Sequence, residues 1–401
     1  MDLFFSTNKF KLNGLSYSGF PILISREGKV VEEALDFCIA HLIKRGRVQS
    51  KKSWVTYGKA LYQFFGWCEV NDIDWCDVGN DREATILAEF RDWNLSPEGG
   101  SLSAATVNAR LRLLCAFYRY AANSGWVTTV PYSMETVTVR QPKGFLAHVD
   151  ASGGSRTTAD VMLRTPRTVI RVLSKHQSVD LLNATTNPTH KLIMRLALTT
   201  GLRREELATF PLKYVIDPVM YTKHRSFIRI NLDPRDMTIK RNQPRGIDVP
   251  RTVMEALWQY VLNRRHQHEN ISGQRQSVLF LTESGQPYAN DGAAFLGLVK
   301  KAGAAAGIPY INVHILRHTY ATHTLYAMMQ SKAQTHALLY VRDRLGHASV
   351  TSTEKYLHCL SELEDALMND YQSEIDLISR GDWQCLEKTS IDSLPPWQRC
   401  Q

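Results

Sequence analysis

The chain has 401 residues, 44% of them hydrophobic and 9% aromatic, with a formal net charge of +9 and a pI near 9.1. That is enough chain for two or three domains with cores of their own; the apolar content excludes a disordered protein, and the basic balance favours a polyanionic partner. No window approaches the roughly 18 uncharged apolar residues of a membrane span, and Met1-Asp2-Leu3-Phe4-Phe5 lacks the basic start of a signal peptide. The seven cysteines (Cys38, Cys68, Cys76, Cys115, Cys359, Cys385, Cys400) are widely spaced without a C-x-x-C pair, so reduced thiols are expected rather than a zinc ribbon or a disulfide framework.

Residues 1–30 read as short strands and turns, with Phe10 and Leu12 alternating against polar neighbours and Gly14, Gly19 and Pro21 as punctuation. From 31 to 140 the pattern is helical. Trp54, Tyr57, Leu61, Phe64 and Phe65 recur at helix spacing, as do Val107, Leu111, Leu114, Phe117 and Tyr118 behind Ser103 as N-cap. The opposite faces carry Lys51, Lys52 and Lys59 in the first run and Arg110, Arg112 and Arg119 in the second. Residues 141–165, rich in Gly, Ser and Thr with little periodicity, have a linker composition.

A second domain, 166–358, opens with helices over 168–183 and 190–200. Strands follow at Phe227–Asn231, Met237–Ile239 and Gly246–Pro250, the last two joined through Arg241-Asn242-Gln243-Pro244. Helical patterns return at 252–268, 291–306, 314–329 and 334–345. The tail, 359–401, begins with an amphipathic run that places Leu360, Leu363, Leu367, Tyr371, Ile375 and Ile378 on one stripe. Its polar side is acidic (Glu362, Glu364, Asp365, Asp370, Glu374, Asp376), which repels DNA and favours packing on protein.

Four scattered blocks concentrate the reactive residues: 200–207, 239–245, 314–318 and 345–356. As candidates they supply two arginines (Arg203, Arg317), a lysine (Lys240), two histidines (His314, His347) and a tyrosine (Tyr356), without paired acids for a metal. Transfer at a phosphodiester builds charge on the non-bridging oxygens, and a metal-free site meets it with fixed cations. Arg203 and Arg317, each near a helix start by pattern, suit that role through their planar forks. Tyr356 is the candidate nucleophile and Lys240, just before a tight turn, the candidate general acid. Arg241 and Arg245 beside it are candidates for backbone phosphates, and His314 and His347 for donating protons near the reacting group. His314 and His318 stand four apart, a zinc-ligand spacing. With Arg317 beside them and no glutamate base, His318 reads instead as a structural histidine in the helix packing.

In these blocks the chain resembles the tyrosine recombinases of the phage-integrase family over about residues 30–380. The matching signals are Gly-Leu-Arg-x-x-Glu-Leu at 201–207, a hairpin lysine ahead of Arg-x-x-x-x-Pro, His-x-Leu-Arg-His at 314–318, and Leu-Gly-His with a tyrosine nine residues on. The resemblance implies Arg203, Lys240, His314, Arg317, His347 and Tyr356 as the catalytic set, with Glu206 as an acidic buttress. It implies a mainly α fold with a small antiparallel β-sheet in the catalytic domain. The helical region 31–140 would be a core-binding domain that closes with 166–358 as a C-shaped, two-domain DNA clamp. The basic faces (Lys52, Lys59, Arg110, Arg112, Arg119) then become phosphate-contacting surfaces. Implied, too, are double-stranded recombination sites, a homotetramer on DNA through the tail helix, and accessory DNA-bending or directionality factors. The expected enzyme needs no metal, ATP or organic cofactor, works in the cytoplasm on the nucleoid, and makes a 3′-phosphotyrosine and a Holliday junction. A type IB topoisomerase and a non-catalytic DNA-binding regulator on the same fold are the alternative readings.

Overall fold

The computed structural model describes residues 1–46, 50–78, 84–138, 155–165, 170–220, 226–330, 337–350, 352, 353, 356, 357, 359 and 360. The acidic tail helix expected beyond residue 360 lies outside them. The chain divides into two compact units, Met1–Arg167 and Thr168–Gln401. No helix among the described residues is long and apolar enough to cross a membrane.

In the first unit, β1 (Asp2–Phe5), β2 (Lys11–Leu12), β3 (Leu15–Ser16) and β4 (Pro21–Ile24) form two small antiparallel pairs, β1 with β4 and β2 with β3. The helices are α1 (Glu32–Cys38), continued by a π-helical segment Ile39–Lys44, then α2 (Lys51–Val70), α3 (Ile86–Leu95) and α4 (Ala104–Asn123). Ser103 caps α4 as expected, its side chain accepting from the Thr106 amide. The core is aromatic: Phe37, Phe64, Phe65, Phe90, Phe117 and Tyr118 are all buried, with Phe64 edge-on to Phe90 at 5.3 Å.

The boundary of this unit departs from the sequence expectation. Met134–Thr138 and Ser155–Ala159 pair as antiparallel strands β5 and β6, with Thr136 opposite Thr157. The composition of 141–165 suggests a linker, yet the threonines at 157 and 158 are β-branched and find a partner strand in Glu135 and Thr136. Asn108 ties the far end down, exchanging hydrogen bonds at 2.8 Å with both backbone groups of Leu163.

The second unit contains α5 (Lys175–Asn183), α6 (Pro188–Thr200), α7 (Arg204–Ala208), β7 (Phe227–Leu232), β8 (Arg245–Pro250), α8 (Arg251–Tyr260), α9 (His266–Ser272), α10 (Ala293–Ala305), α11 (Val313–Gln330) and α12 (Ala337–Leu345). The fold is therefore helix-rich with small antiparallel sheets, as expected. Ser174 opens α5 with a reciprocal capping box to Gln177, and Asn187 with Pro188 opens α6. The β7–β8 register runs from Phe227 opposite Pro250 to Leu232 opposite Arg245. The strand expected at 237–239 is absent from this sheet. Met237 and Ile239 alternate into the core, but the amide between them, Thr238 N, donates to Thr209 Oγ1 rather than to a neighbouring strand.

Candidate active site

A glycine sets the first arginine. Gly201 ends α6 in the left-handed region, at φ +65°, and turns the chain so that Arg203 becomes the N-cap of α7. The Arg203 amide donates to Glu206 Oε2 at 2.7 Å and its Nη1 to Oε1 at 3.1 Å. Glu206 is 1% exposed. Burial works against its charge, but hydrogen bonds and charge from Arg245, with Arg203 behind them, hold its carboxyl below the usual range.

Arg245 is a correction to the set of expected DNA contacts. It is buried, with Nη1 and Nη2 on Glu206 and Nε donating to the Arg344 carbonyl at 3.0 Å. A guanidinium committed to three acceptors inside the unit has no fork left for a backbone phosphate. Next along β8, Asp248 accepts from Tyr340 Oη, Arg229 and Arg344. Glu206 and Asp248 thus pin the β8 strand to α7 and α12.

The second arginine comes from the first turns of α11. Arg317 is 2% exposed, and it donates from Nη1 to the Gly201 carbonyl and from Nη2 to the Leu345 carbonyl, each at 2.6 Å. Burial and the nearby Arg203 charge push its guanidinium pKa down, partly offset by Glu206. An anion arriving beside it would relieve that cost, so the position is primed for one.

Tyr356 closes the site from the segment after α12. Its side chain is fully buried among Tyr320, Leu325, Val341 and Leu345. Burial raises its phenol to about 12, although Arg317 and Arg203 pull the other way. His347 stacks on it at 6.2 Å between ring centroids, and Thr353 Oγ1 fixes His347 Nδ1 at 3.0 Å. His318, expected as a structural histidine in the helix packing, has its Nδ1 3.0 Å from Tyr356 Oη. Its ring also meets that of His314 at 4.5 Å.

One cavity of about 210 Å³ is lined by Arg203, Lys240, His314, Arg317, His347 and Tyr356, together with Arg241, Gly346, Ala348 and Ser352. Lys240 and Arg241 reach it from a single 3₁₀ turn in the β7–β8 connection, where Arg241 takes φ +66°. Arginines 203 and 317, Lys240 and Arg241 make the cavity strongly cationic, while the acid Glu206 is turned behind Arg203. This arrangement can grip a tetrahedral anion and present it to a phenol. Residues separated by up to 153 positions, from Arg203 to Tyr356, therefore converge on one space. The lining residue Ser352, and His318 and Thr353, which contact Tyr356 and His347 of the lining, were not legible, since nothing in their spacing indicates contact.

The other expected DNA contacts lie in the first unit. Lys52, Lys59, Arg112 and Arg119 are exposed on α2 and α4, with Arg119 also donating to the Tyr132 hydroxyl. Arg110 differs: it is half-buried and its Nη1 donates to Asn94 Oδ1, which removes much of its fork from solvent.

Residues 171–362 match the model of the phage integrase family. The chain is 25% identical over 357 residues to transposase A from transposon Tn554 of Staphylococcus aureus, covering 84% of this chain and 90% of that one. It is 28% identical over 294 residues to tyrosine recombinase XerC of Roseiflexus sp. (strain RS-1), covering 72% and 77%. Among solved structures, the Tn1549 transposon integrase in complex with a circular intermediate DNA shares the fold with a TM-score of 0.55 at 19% identity, over 81% of this chain and 94% of that one. The XerH site-specific recombinase bound to palindromic difH substrate does so with a TM-score of 0.51 at 18% identity, over 86% and 89%. The family model thus lies on the unit that carries the cavity, and along most of its length the chain is similar to a transposase and to a tyrosine recombinase.

Proposed function

We propose that the protein is the recombinase of a mobile element, cutting and rejoining DNA at specific sites with Tyr356 as nucleophile. Arg203 and Arg317 hold the non-bridging oxygens of the scissile phosphate, and His314 and His347 add hydrogen bonds to it. Tyr356 Oη forms the bond to phosphorus as the bond to the 5′ oxygen breaks, and Lys240 supplies the proton that the leaving oxygen takes. The product is a 3′-phosphotyrosine and a free 5′-hydroxyl. The corresponding hydroxyl of a partner duplex reverses the step, giving a Holliday junction and, after a second exchange, recombinants.

The observation that carries this reading is the cationic cavity in which Arg203, Lys240, His314, Arg317, His347 and the buried Tyr356, from four distant blocks, come together. The near full-length likeness to a transposase favours a mobile element over a housekeeping role. A homotetramer on DNA, assembled through the tail, and accessory DNA-bending factors belong to the same proposal. The exposed Lys52, Lys59, Arg112 and Arg119 would hold backbone phosphates there, with Arg241 doing so beside the cavity.

The test uses labelled duplexes from the borders of the element, nicked near the cut so that the cleaved fragment diffuses away. A covalent protein–DNA band on a denaturing gel, lost in Tyr356→Phe with duplex binding retained, is expected. Binding to a verified site without any covalent band would leave a regulator on this fold as the better reading. A 5′-bridging sulfur in place of the leaving oxygen should restore cleavage to Lys240→Ala, because a thiolate leaves without needing that proton.

A further inference from the structure

The phenol of Tyr356 has a specific neighbour. His318 Nδ1 stands 3.0 Å from Tyr356 Oη, with the two rings 5.5 Å apart between centroids. That is hydrogen-bond reach for a proton acceptor. Among the described residues, the groups facing this pair include His314 on the same helix, Arg317 and Arg203 as cations, His347 stacked on the tyrosine, and the Cys359 thiol. The two arginines have no acceptor atom to offer. His347 has its Nδ1 engaged by Thr353 Oγ1, and the His314 ring meets that of His318.

We propose that His318 takes the proton of Tyr356 during strand cleavage. As Oη forms the bond to phosphorus, its proton passes to His318 Nδ1; the bond from phosphorus to the 5′ oxygen breaks and that oxygen takes a proton from Lys240. In religation the 5′-hydroxyl returns its proton to Lys240 and the departing phenolate recovers its own from His318, so the site ends as it began. The inference rests on Tyr356 being the nucleophile. A neutral imidazole with its proton on Nε2 leaves Nδ1 as the acceptor for the phenol O–H. The need for such an acceptor is physical: Tyr356 is fully buried, and burial favours the neutral phenol. Arg317 and Arg203 can stabilise the phenolate once formed, but they cannot carry the proton away.

His318→Asn is the informative change, because an amide can keep a hydrogen bond to Oη without taking a proton at neutral pH. Covalent-adduct formation on the nicked duplex should be followed in single turnover across pH for the native chain, His318→Asn and Tyr356→Phe. A loss on the order of 100-fold at neutral pH is expected for His318→Asn, with the rate climbing again in alkali and duplex affinity unchanged. A more acidic phenol, 3-fluorotyrosine at position 356, should restore part of that loss. A His318→Asn rate close to native with the same pH profile overturns the proposal and leaves His318 a hydrogen-bonding prop. So does a loss that neither alkali nor the fluorinated phenol relieves. A further measurement needs no change at 318: in the native chain the fluorinated phenol should leave the acidic limb of the profile in place, because that limb belongs to the imidazole. A limb that moves with phenol acidity refutes it. Adduct persisting in Tyr356→Phe sinks the nucleophile assignment itself, an outcome distinct from all of these.

Discussion

Both carboxylate oxygens of Glu206 accept from the guanidinium of Arg245, Oε1 from Nη1 at 2.8 Å and Oε2 from Nη2 at 2.6 Å. The pair is buried on both sides, 1% and 5% exposed, and it supports Arg203 from behind. Removing Arg245 leaves a buried carboxylate with Arg203 as its remaining cation, so Arg245→Ala should cost about 3–5 kcal/mol in urea unfolding at neutral pH. The sign with pH follows from the depressed carboxyl of Glu206: its contribution is present above the ordinary carboxylate range and is lost as pH falls through the lowered value. The gap between variant and native should therefore narrow towards acid. A gap of constant size down to the acid transition would contradict it.

The same burial separates Arg245 from the exposed arginines in its effect on DNA. Arg112→Ala should flatten the dependence of log affinity on log salt by about one unit, the signature of a lost phosphate contact. Arg245→Ala, measured where it remains folded, should leave that slope alone. An equal fall for both would return Arg245 to the DNA-contacting set.

These cases show where reading the chain succeeds and where it stops. The cavity residues were legible because each block carries an unusual residue type at fixed internal spacing, and the cavity gathers all of them. The place of Arg245 beside Lys240 in the chain carries no sign of where its long side chain turns, and its partner Glu206 lies 39 positions away. At 237–239 the alternation of Met237 and Ile239 is genuine and both are buried, but period alone cannot supply the strand that a ladder needs. The spacing of His318 from His314 is visible in the chain, whereas its hydrogen-bond contact with Tyr356, 38 residues on, is not.

Gly346 sits between the Arg245 clamp and His347. Its φ is +62°, and a Cβ there would lie 2.8 Å from Arg245 Cδ. Arg245 cannot retreat without releasing Glu206 and the Arg344 carbonyl. Gly346→Ala should therefore cost the left-handed backbone penalty, about 1–3 kcal/mol, plus the displaced clamp. Gly273→Ala is the matched control, since Gly273 has φ +64° with nothing within 4 Å of the added atom. Urea midpoints should fall further for position 346 than for 273, and adduct formation should fall only for 346. Equal midpoints would mean that the contact with Arg245 is irrelevant.

Arg317 is the stringent case because its fork does two jobs. Two of its nitrogens hold the Gly201 and Leu345 carbonyls, each at 2.6 Å, and the side chain also lines the cavity with Arg203. One carbonyl belongs to the turn that presents Arg203, the other to the end of the helix that precedes His347. Lysine supplies charge but not a planar fork, so it cannot hold both carbonyls and still face a phosphate. Arg317→Lys should lower stability by about 1–3 kcal/mol through the orphaned carbonyl. It should slow adduct formation by roughly 10²–10³-fold, as expected when a donor to a developing oxyanion is lost. Duplex affinity should stay near native if the proposed phosphate contacts of Lys52, Lys59, Arg112 and Arg119 dominate binding. Single-turnover cleavage beside a gel-shift titration separates the two readouts. If Arg317→Lys cleaved at the native rate, charge alone would suffice at this position and the fork geometry would have no catalytic meaning.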